Sequence, residues 1–234
     1  MNFLYFAPHQ RLNEKDFLLN QSQSSLDRFK NNNPDFIYKF TTDQGLAGLG
    51  KIISRGSDRI LRMESITKSY SNLSHYKINI HFQRPQTAKK ILHLTGCFGI
   101  GELVWFESDP KKNKAYELSP TYKPESMEQY RIEGKEQSGN PYSTKIQIQW
   151  NRSELQESRS CILDPKGEIS IRESSEVFHS YTLGRESGFT QVELSKFRDN
   201  GIPVFHLGKT ILRTEYAFSI LLHELESKIS SHPK

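Results

Sequence analysis

Two rhythms of apolar and polar residues divide the chain. In its first third, short apolar groups (Phe3-Leu4-Tyr5-Phe6, Phe36-Ile37-Tyr38-Lys39-Phe40, Lys51-Ile52-Ile53, Arg59-Ile60-Leu61-Arg62-Met63) are separated by turn formers. The separators are Asn31-Asn32-Asn33-Pro34-Asp35, the glycine-rich run 45–50 and Arg55-Gly56-Ser57-Asp58. Short strands so punctuated predict a small β-barrel or sandwich. The polar run Ser69-Tyr70-Ser71-Asn72-Leu73-Ser74 predicts a linker over 68–77, which divides the chain into 1–72 and 73–234.

Beyond the linker, strand and helix signals alternate. Ile78-Asn79-Ile80-His81-Phe82 has period two, and Pro85 suits the first turn of a helix. Ala88, Ile91, Leu92 and Thr95 then recur at helical spacing up to Gly96 and Gly99. Leu103–Phe106 reads as a buried strand and Glu125–Ser138 as a charged helix. Lys145–Trp150, Cys161–Leu163, Tyr181–Leu183 and Val204–Leu207 read as further strands. Thr190-Gln191-Val192-Glu193 is a capping box, opening a helix that Asn200-Gly201 ends. Thr214 opens a last helix with Phe218, Leu221, Leu222 and Leu225 facing inward. This alternation predicts an α/β domain built on a mostly parallel sheet.

Composition narrows the class. The chain has 234 residues, 35% hydrophobic and 25% charged, with a mean hydropathy of −0.67. No stretch approaches the ~20 apolar residues that span a bilayer, and Met1–Ala7 is too short for a secretory signal. Two cysteines, Cys97 and Cys161, cannot build a disulfide framework, so a cytoplasmic protein is expected. The net charge of +5 is compatible with a nucleic-acid partner without requiring one. Arg55, Arg59 and Arg62, then Lys89 and Lys90, then Lys111, Lys112 and Lys114 form local basic clusters; any single one is more often a solvated face. No metal is expected. His223-Glu224 starts like a zinc-protease helix but lacks the second histidine, and the other histidines have no ligand spacing. Gly96, Gly99 and Gly101 follow a helix and precede a strand, the reverse of a dinucleotide fingerprint.

Two C-terminal segments carry candidate chemistry. Leu183-Gly184-Arg185-Glu186-Ser187-Gly188-Phe189 lies between a strand and the capped helix, where α/β proteins expose bare backbone groups to ligands. Leu207-Gly208-Lys209-Thr210-Ile211-Leu212-Arg213-Thr214-Glu215-Tyr216-Ala217 repeats the strand–loop–helix arrangement, and two such loops suit one shared pocket.

These segments resemble the signature of the RsmE family, the 16S rRNA (uracil-N3)-methyltransferases of the SPOUT superfamily. That family carries an I-G-P-E-G-G-[FW] loop followed by L-G-x-x-I-L-R-T-E-T-A. Upstream, Arg84–Leu92 with Phe98-Gly99-Ile100-Gly101-Glu102-Leu103 is similar to its lysine-bearing helix and following turn, and Glu133–Gly139 to its A-x-E-Q-S-G segment. The resemblance covers about 78–225 well and the first 75 residues weakly. It implies an N-terminal PUA-like β-barrel that helps hold RNA and a C-terminal SPOUT α/β methyltransferase domain with a trefoil knot. It also implies a homodimer and bound S-adenosylmethionine.

On the matched positions, the resemblance assigns Leu183, Gly184, Glu186 and Gly188 to the cofactor loop. Leu207, Gly208, Ile211, Leu212 and Thr214 would close over the cofactor, and Leu163, Asp164 and Pro165 would supply the first knot loop. Arg213 would face the uracil, with Glu215 orienting it or receiving a proton. Arg84, Lys89 and Lys90 on the matched helix, and Arg55 from the basic cluster of the first third, would contact RNA. The function implied is methylation of uridine N3 in small-subunit ribosomal RNA; the alternative is an RNA-binding or ribosome-assembly protein that keeps the fold with weak or no catalysis. Three positions depart from the pattern: Arg185 for proline, Ser187 for glycine and Tyr216 for threonine. Ser187 adds a Cβ that is costly at positive φ, and Arg185 gives up a preset turn.

Overall fold

The period-two segments of the first third fold into a mixed sheet. A computed structural model of the chain describes residues 3–20, 23, 36–67, 73–107, 116, 118–150 and 159–231. Among these, β1 (Leu4–Phe6), β2 (Asp16–Leu18), β3 (Ile37–Thr42), β4 (Ala47–Arg55) and β5 (Asp58–Ile66) lie in the order β1-β3-β4-β5-β2. β1 runs parallel to β3 and the other pairs are antiparallel. Phe6, Phe17, Phe40 and Leu61 fill its core.

Here the structure corrects the sequence reading. Residues 47–50 belong to β4 and do not form a turn. A Cβ on Gly48 would lie 1.9 Å from the Ser65 carbonyl oxygen, and the register shifts at Leu49/Gly50, so these glycines mark a close approach and a bulge. β2 was not anticipated, being only three residues long. Asn31–Asp35, Lys111, Lys112, Lys114 and the 72/73 division fall outside the described residues.

The second sheet is parallel throughout. β6 (Lys77–His81), β7 (Glu102–Glu107), β8 (Lys145–Trp150), β9 (Ser160–Leu163), β10 (Ile169–Ser170), β11 (Ser180–Leu183) and β12 (Val204–His206) lie in the order β10-β12-β9-β11-β6-β7-β8. Both faces are buried, as parallel sheets require. Ile78, Ile80, Leu103, Trp105, Cys161 and Tyr181 face α1 (Pro85–Phe98) and α4 (Thr214–Ser231), whose Ile91, Leu92, Phe218, Leu221 and Leu222 complete the larger core. Phe106 and Ile162 pack on the other side with Leu194 of α3 (Gln191–Asp199). The capping box forms as read: Thr190 Oγ1 accepts from the Glu193 N–H, and the Glu193 carboxylate accepts from Thr190 N–H. Leu73 and Tyr76, expected in a linker, are buried in this larger core.

α1 and α2 (Pro124–Ser138) touch backbone to backbone. A Cβ on Gly96 would lie 1.9 Å from the Arg131 carbonyl oxygen, and one on Gly134 would lie 2.0 Å from that of His93. Gly96→Ala should therefore cost about 1–3 kcal/mol by forcing the helices apart. A lower urea midpoint is the expected reading, and an unchanged one would show that the pair parts freely.

α2 also holds the two sheets together. Asp43, in the bend between β3 and β4, accepts from Arg131 Nη1 and Nη2 at 3.0 and 2.9 Å and from Lys135 Nζ at 2.6 Å. Tyr5 donates its hydroxyl to the same carboxylate. Thr41 Oγ1 donates to the Asn140 carbonyl at 3.0 Å, and the Phe3 N–H to that of Glu136 at 2.6 Å.

Candidate active site

The carboxyl ends of parallel strands leave backbone groups bare, and three loops converge there. They follow β9, β11 and β12 and line one cavity of about 430 Å³, within the range of small-molecule and cofactor pockets. Its wall includes every residue that the resemblance assigned to the cofactor: Leu163, Pro165, Leu183, Gly184, Glu186, Gly188, Leu207, Gly208, Ile211, Leu212 and Thr214.

Asp164 ties the loops together. Its carboxylate accepts from Lys166 N–H at 2.9 Å and from Phe189 N–H at 3.3 Å. Its own N–H donates to the Phe205 carbonyl on β12 at 2.9 Å. Gly188 holds φ +75°, a value that excludes most side chains, and its N–H closes a turn onto the Arg185 carbonyl at 2.8 Å. Ser187 is not among the residues at positive φ, so its Cβ carries no such strain. Arg185 does not loosen the loop. Its guanidinium bonds Glu107 Oε1 at 3.0 Å and Glu193 Oε1 at 2.9 Å. Burial works against that charge, and the two carboxylates more than offset it.

The group read from the resemblance fits these walls. Leucines, Ile211 and Phe189 offer apolar surface, and loop backbone offers donors and acceptors, the usual make-up of a small-molecule or cofactor pocket. A Cβ on Gly208 would meet nothing within 4 Å, so the wall is open there. Asp164, Arg185, Phe189, Lys209 and Ala217 also line the cavity. Phe189 and Ala217 lie inside the matched segments; Arg185 was singled out only as a departure from the pattern.

The remaining candidates are more dispersed. Arg213 is exposed at the rim, between the lining residues Leu212 and Thr214, and its carbonyl accepts from Tyr216 and Ala217 N–H at the start of α4. Glu215 is buried, with Oε1 3.1 Å from Lys90 Nζ, so it ties α4 to α1. Lys90 thus has an intramolecular partner that the sequence reading did not foresee. Arg84 pairs with Glu186 at 2.9 Å, and the Lys89 ammonium lies 4.7 Å from the centre of the Tyr130 ring. Arg55 is exposed on the β4–β5 hairpin of the other sheet. Arg62 of the same basic cluster is held by Asp16 at 2.9 and 3.1 Å. Glu224, from the abandoned zinc motif, holds Arg172. Among the described residues no group of three or more His, Cys, Asp or Glu could hold a metal ion, and no helix is long and apolar enough to cross a membrane.

Comparison with known proteins fits this geometry. Residues 70–226 match the RNA methyltransferase domain family. The sequence has no match among curated proteins. The fold is similar to that of a ribosomal RNA small subunit methyltransferase E from Neisseria gonorrhoeae bound to S-adenosyl methionine, with a TM-score of 0.73 and 16% identity over 96% of this chain and 97% of that one. It is also similar to a probable rRNA-methyltransferase from Porphyromonas gingivalis, with a TM-score of 0.71 and 16% identity over 99% of both chains. Because the family match spans most of its length, the chain belongs to the RNA methyltransferase domain family, and it has the SPOUT-type fold of a curled PUA-like sheet joined to a parallel α/β domain.

Proposed function

We propose that this protein transfers a methyl group from S-adenosylmethionine to N3 of a uridine in small-subunit ribosomal RNA. The observation that carries the proposal is the single cavity at the strand ends, walled by all eleven residues that the resemblance gives to the cofactor. The N. gonorrhoeae neighbour, whose fold this chain shares, is bound to S-adenosyl methionine. When bound, that cofactor would supply the methyl group from its sulfonium and leave as the neutral thioether. The chain supplies position: the three loops fix the cofactor and Arg213 waits at the rim. N3 must release its proton to solvent before it accepts the methyl group, and a guanidinium at the uracil carbonyls favours the anionic base. Alignment of the two reactants does the rest. Glu215, held by Lys90, sets the first turn of α4 beside Arg213.

The substitutions behind the inactive alternative do not fill the cavity. Ser187 is unstrained and Arg185 is tethered. We place a second copy of the chain against the apolar side chains exposed nearby, Ile211 and Tyr216.

Calorimetric titration with S-adenosylmethionine and with its demethylated product tests this reading, followed by transfer of labelled methyl to small-subunit RNA. About one site per chain and label at uridine N3 are expected. Absence of cofactor binding, with and without RNA, would sink the proposal, and binding with RNA left unlabelled would favour the inactive alternative.

A further inference from the structure

On the α3 side of the sheet, four charged or titratable side chains meet behind the cavity loop. Glu107 ends β7 and is fully buried; His81 ends the neighbouring β6 and is 2% exposed. Glu107 Oε1 lies 3.6 Å from His81 Nδ1 and 3.0 Å from Arg185 Nη2. The other terminal nitrogen of Arg185 reaches Glu193 Oε1 at 2.9 Å, while Glu193 Oε2 accepts from the N–H and hydroxyl of Thr190. One guanidinium therefore joins the sheet, the cavity loop and the cap of α3. Gln83 adds a second tie, donating to the His81 carbonyl at 2.8 Å and to the Gly184 carbonyl at 3.2 Å.

A planar guanidinium can serve two carboxylates in fixed directions, which an ammonium cannot. The loop it holds includes Gly184 and Gly188 of the cavity wall, and Arg185 stands where the RsmE pattern has proline. A proline would set the turn through its ring. Here a side-chain clasp does so from outside the turn. We propose that Arg185 is a positioning residue, clasping Glu107 and Glu193 so that the loop 184–189 is held in the shape that receives the cofactor. This proposal rests on the methyltransferase reading for its ligand, although the clasp itself is testable without one.

Without the clasp, the loop keeps only its Gln83 and Asp164 ties, the cofactor must supply the rest of the ordering, and that weakens binding. Arg185→Ala should raise the Kd for S-adenosylmethionine at least about tenfold. KM for the cofactor should rise with it, because the cost of ordering the loop falls on binding. Arg185→Lys, whose ammonium lacks the span and fixed directions of the guanidinium, should fall between. Glu193→Gln, at a partly exposed position, should move binding in the same direction by less, which keeps the test open if Arg185→Ala does not fold.

Hydrogen exchange on the cofactor-free protein provides the second arm. The Gly188 and Phe189 amides, bonded to Arg185 and Asp164, should exchange at least about tenfold faster in Arg185→Lys, with β6 and β11 unchanged. Unchanged loop exchange in both Arg185→Lys and Glu193→Gln would overturn the clasp. So would faster exchange with unaltered cofactor affinity. If the wild-type chain binds no cofactor yet loop exchange responds, the clasp stands and the methyltransferase reading fails.

Discussion

Asp43→Ala should cost about 3–5 kcal/mol of folding stability, the usual consequence of removing one partner from a buried ion cluster. Three groups depend on that carboxylate. Arg131 keeps Glu128, at 2.6 Å, but loses its bidentate partner. Lys135, fully buried, keeps the Tyr142 carbonyl at 3.0 Å and the Tyr5 ring, 5.9 Å from its ammonium, while the Tyr5 hydroxyl loses its acceptor. Burial already pushes the Lys135 ammonium down to about 8, and Asp43 is what opposes a further fall. Lys135→Met in the Asp43→Ala background should recover part of the loss, since no buried cation is then stranded. The cluster also joins the two sheets, so the single variant should separate their unfolding. Urea titration followed by fluorescence reads both effects; a cost below about 1 kcal/mol would show that the cluster is close to break-even.

The pH dependence of the same cluster has a definite sign. Although burial works against its charge, bonds from Arg131 and Lys135 hold Asp43 well below the ordinary carboxylate range. A depressed carboxyl contributes stability in full above its unfolded value of about 3.9, and that contribution is lost as pH falls through the folded value. Asp43→Ala should therefore flatten the acid limb of the stability curve. On the alkaline side Lys135 binds its proton less well when folded. The unfolded chain then holds more protons between about 8 and about 10.4, so stability rises with pH there. In Asp43→Ala that window should widen downward.

The sequence was legible where local chemistry and tertiary structure agree. The Thr190/Glu193 box, Gly99 ending α1 and the inward faces of β6, β7 and α4 depend on neighbours within a few residues, and each formed as read. The cavity was legible through the two C-terminal segments, because strand–loop–helix spacing sets where a parallel sheet exposes its loops. What escaped depends on distant pairs. Gly48 resembled a turn glycine until Ser65 was seen against it, and Leu73 resembled linker until the large core covered it. Arg185 resembled a defect because its partners lie 78 and 8 residues away. Lys90 resembled a free surface cation because Glu215 is 125 residues away.

Arg213→Ala should lower methyl transfer about 10²–10³-fold, the loss typical of removing one group that stabilises a developing anion. Cofactor affinity should stay within about twofold, because Arg213 is exposed beside the cavity and does not line it. Structure at the start of α4 should also survive, since Arg213 contributes its carbonyl there, which alanine retains. Arg213→Lys should retain part of the rate, as an ammonium keeps the charge but cannot reach a uracil edge with two donors. Single-turnover transfer at saturating RNA separates these effects. A kcat deficit with unchanged cofactor Kd assigns Arg213 to the base. A Kd that rises as far as the rate falls would instead place the side chain on the cofactor and leave the anionic uracil without its cation.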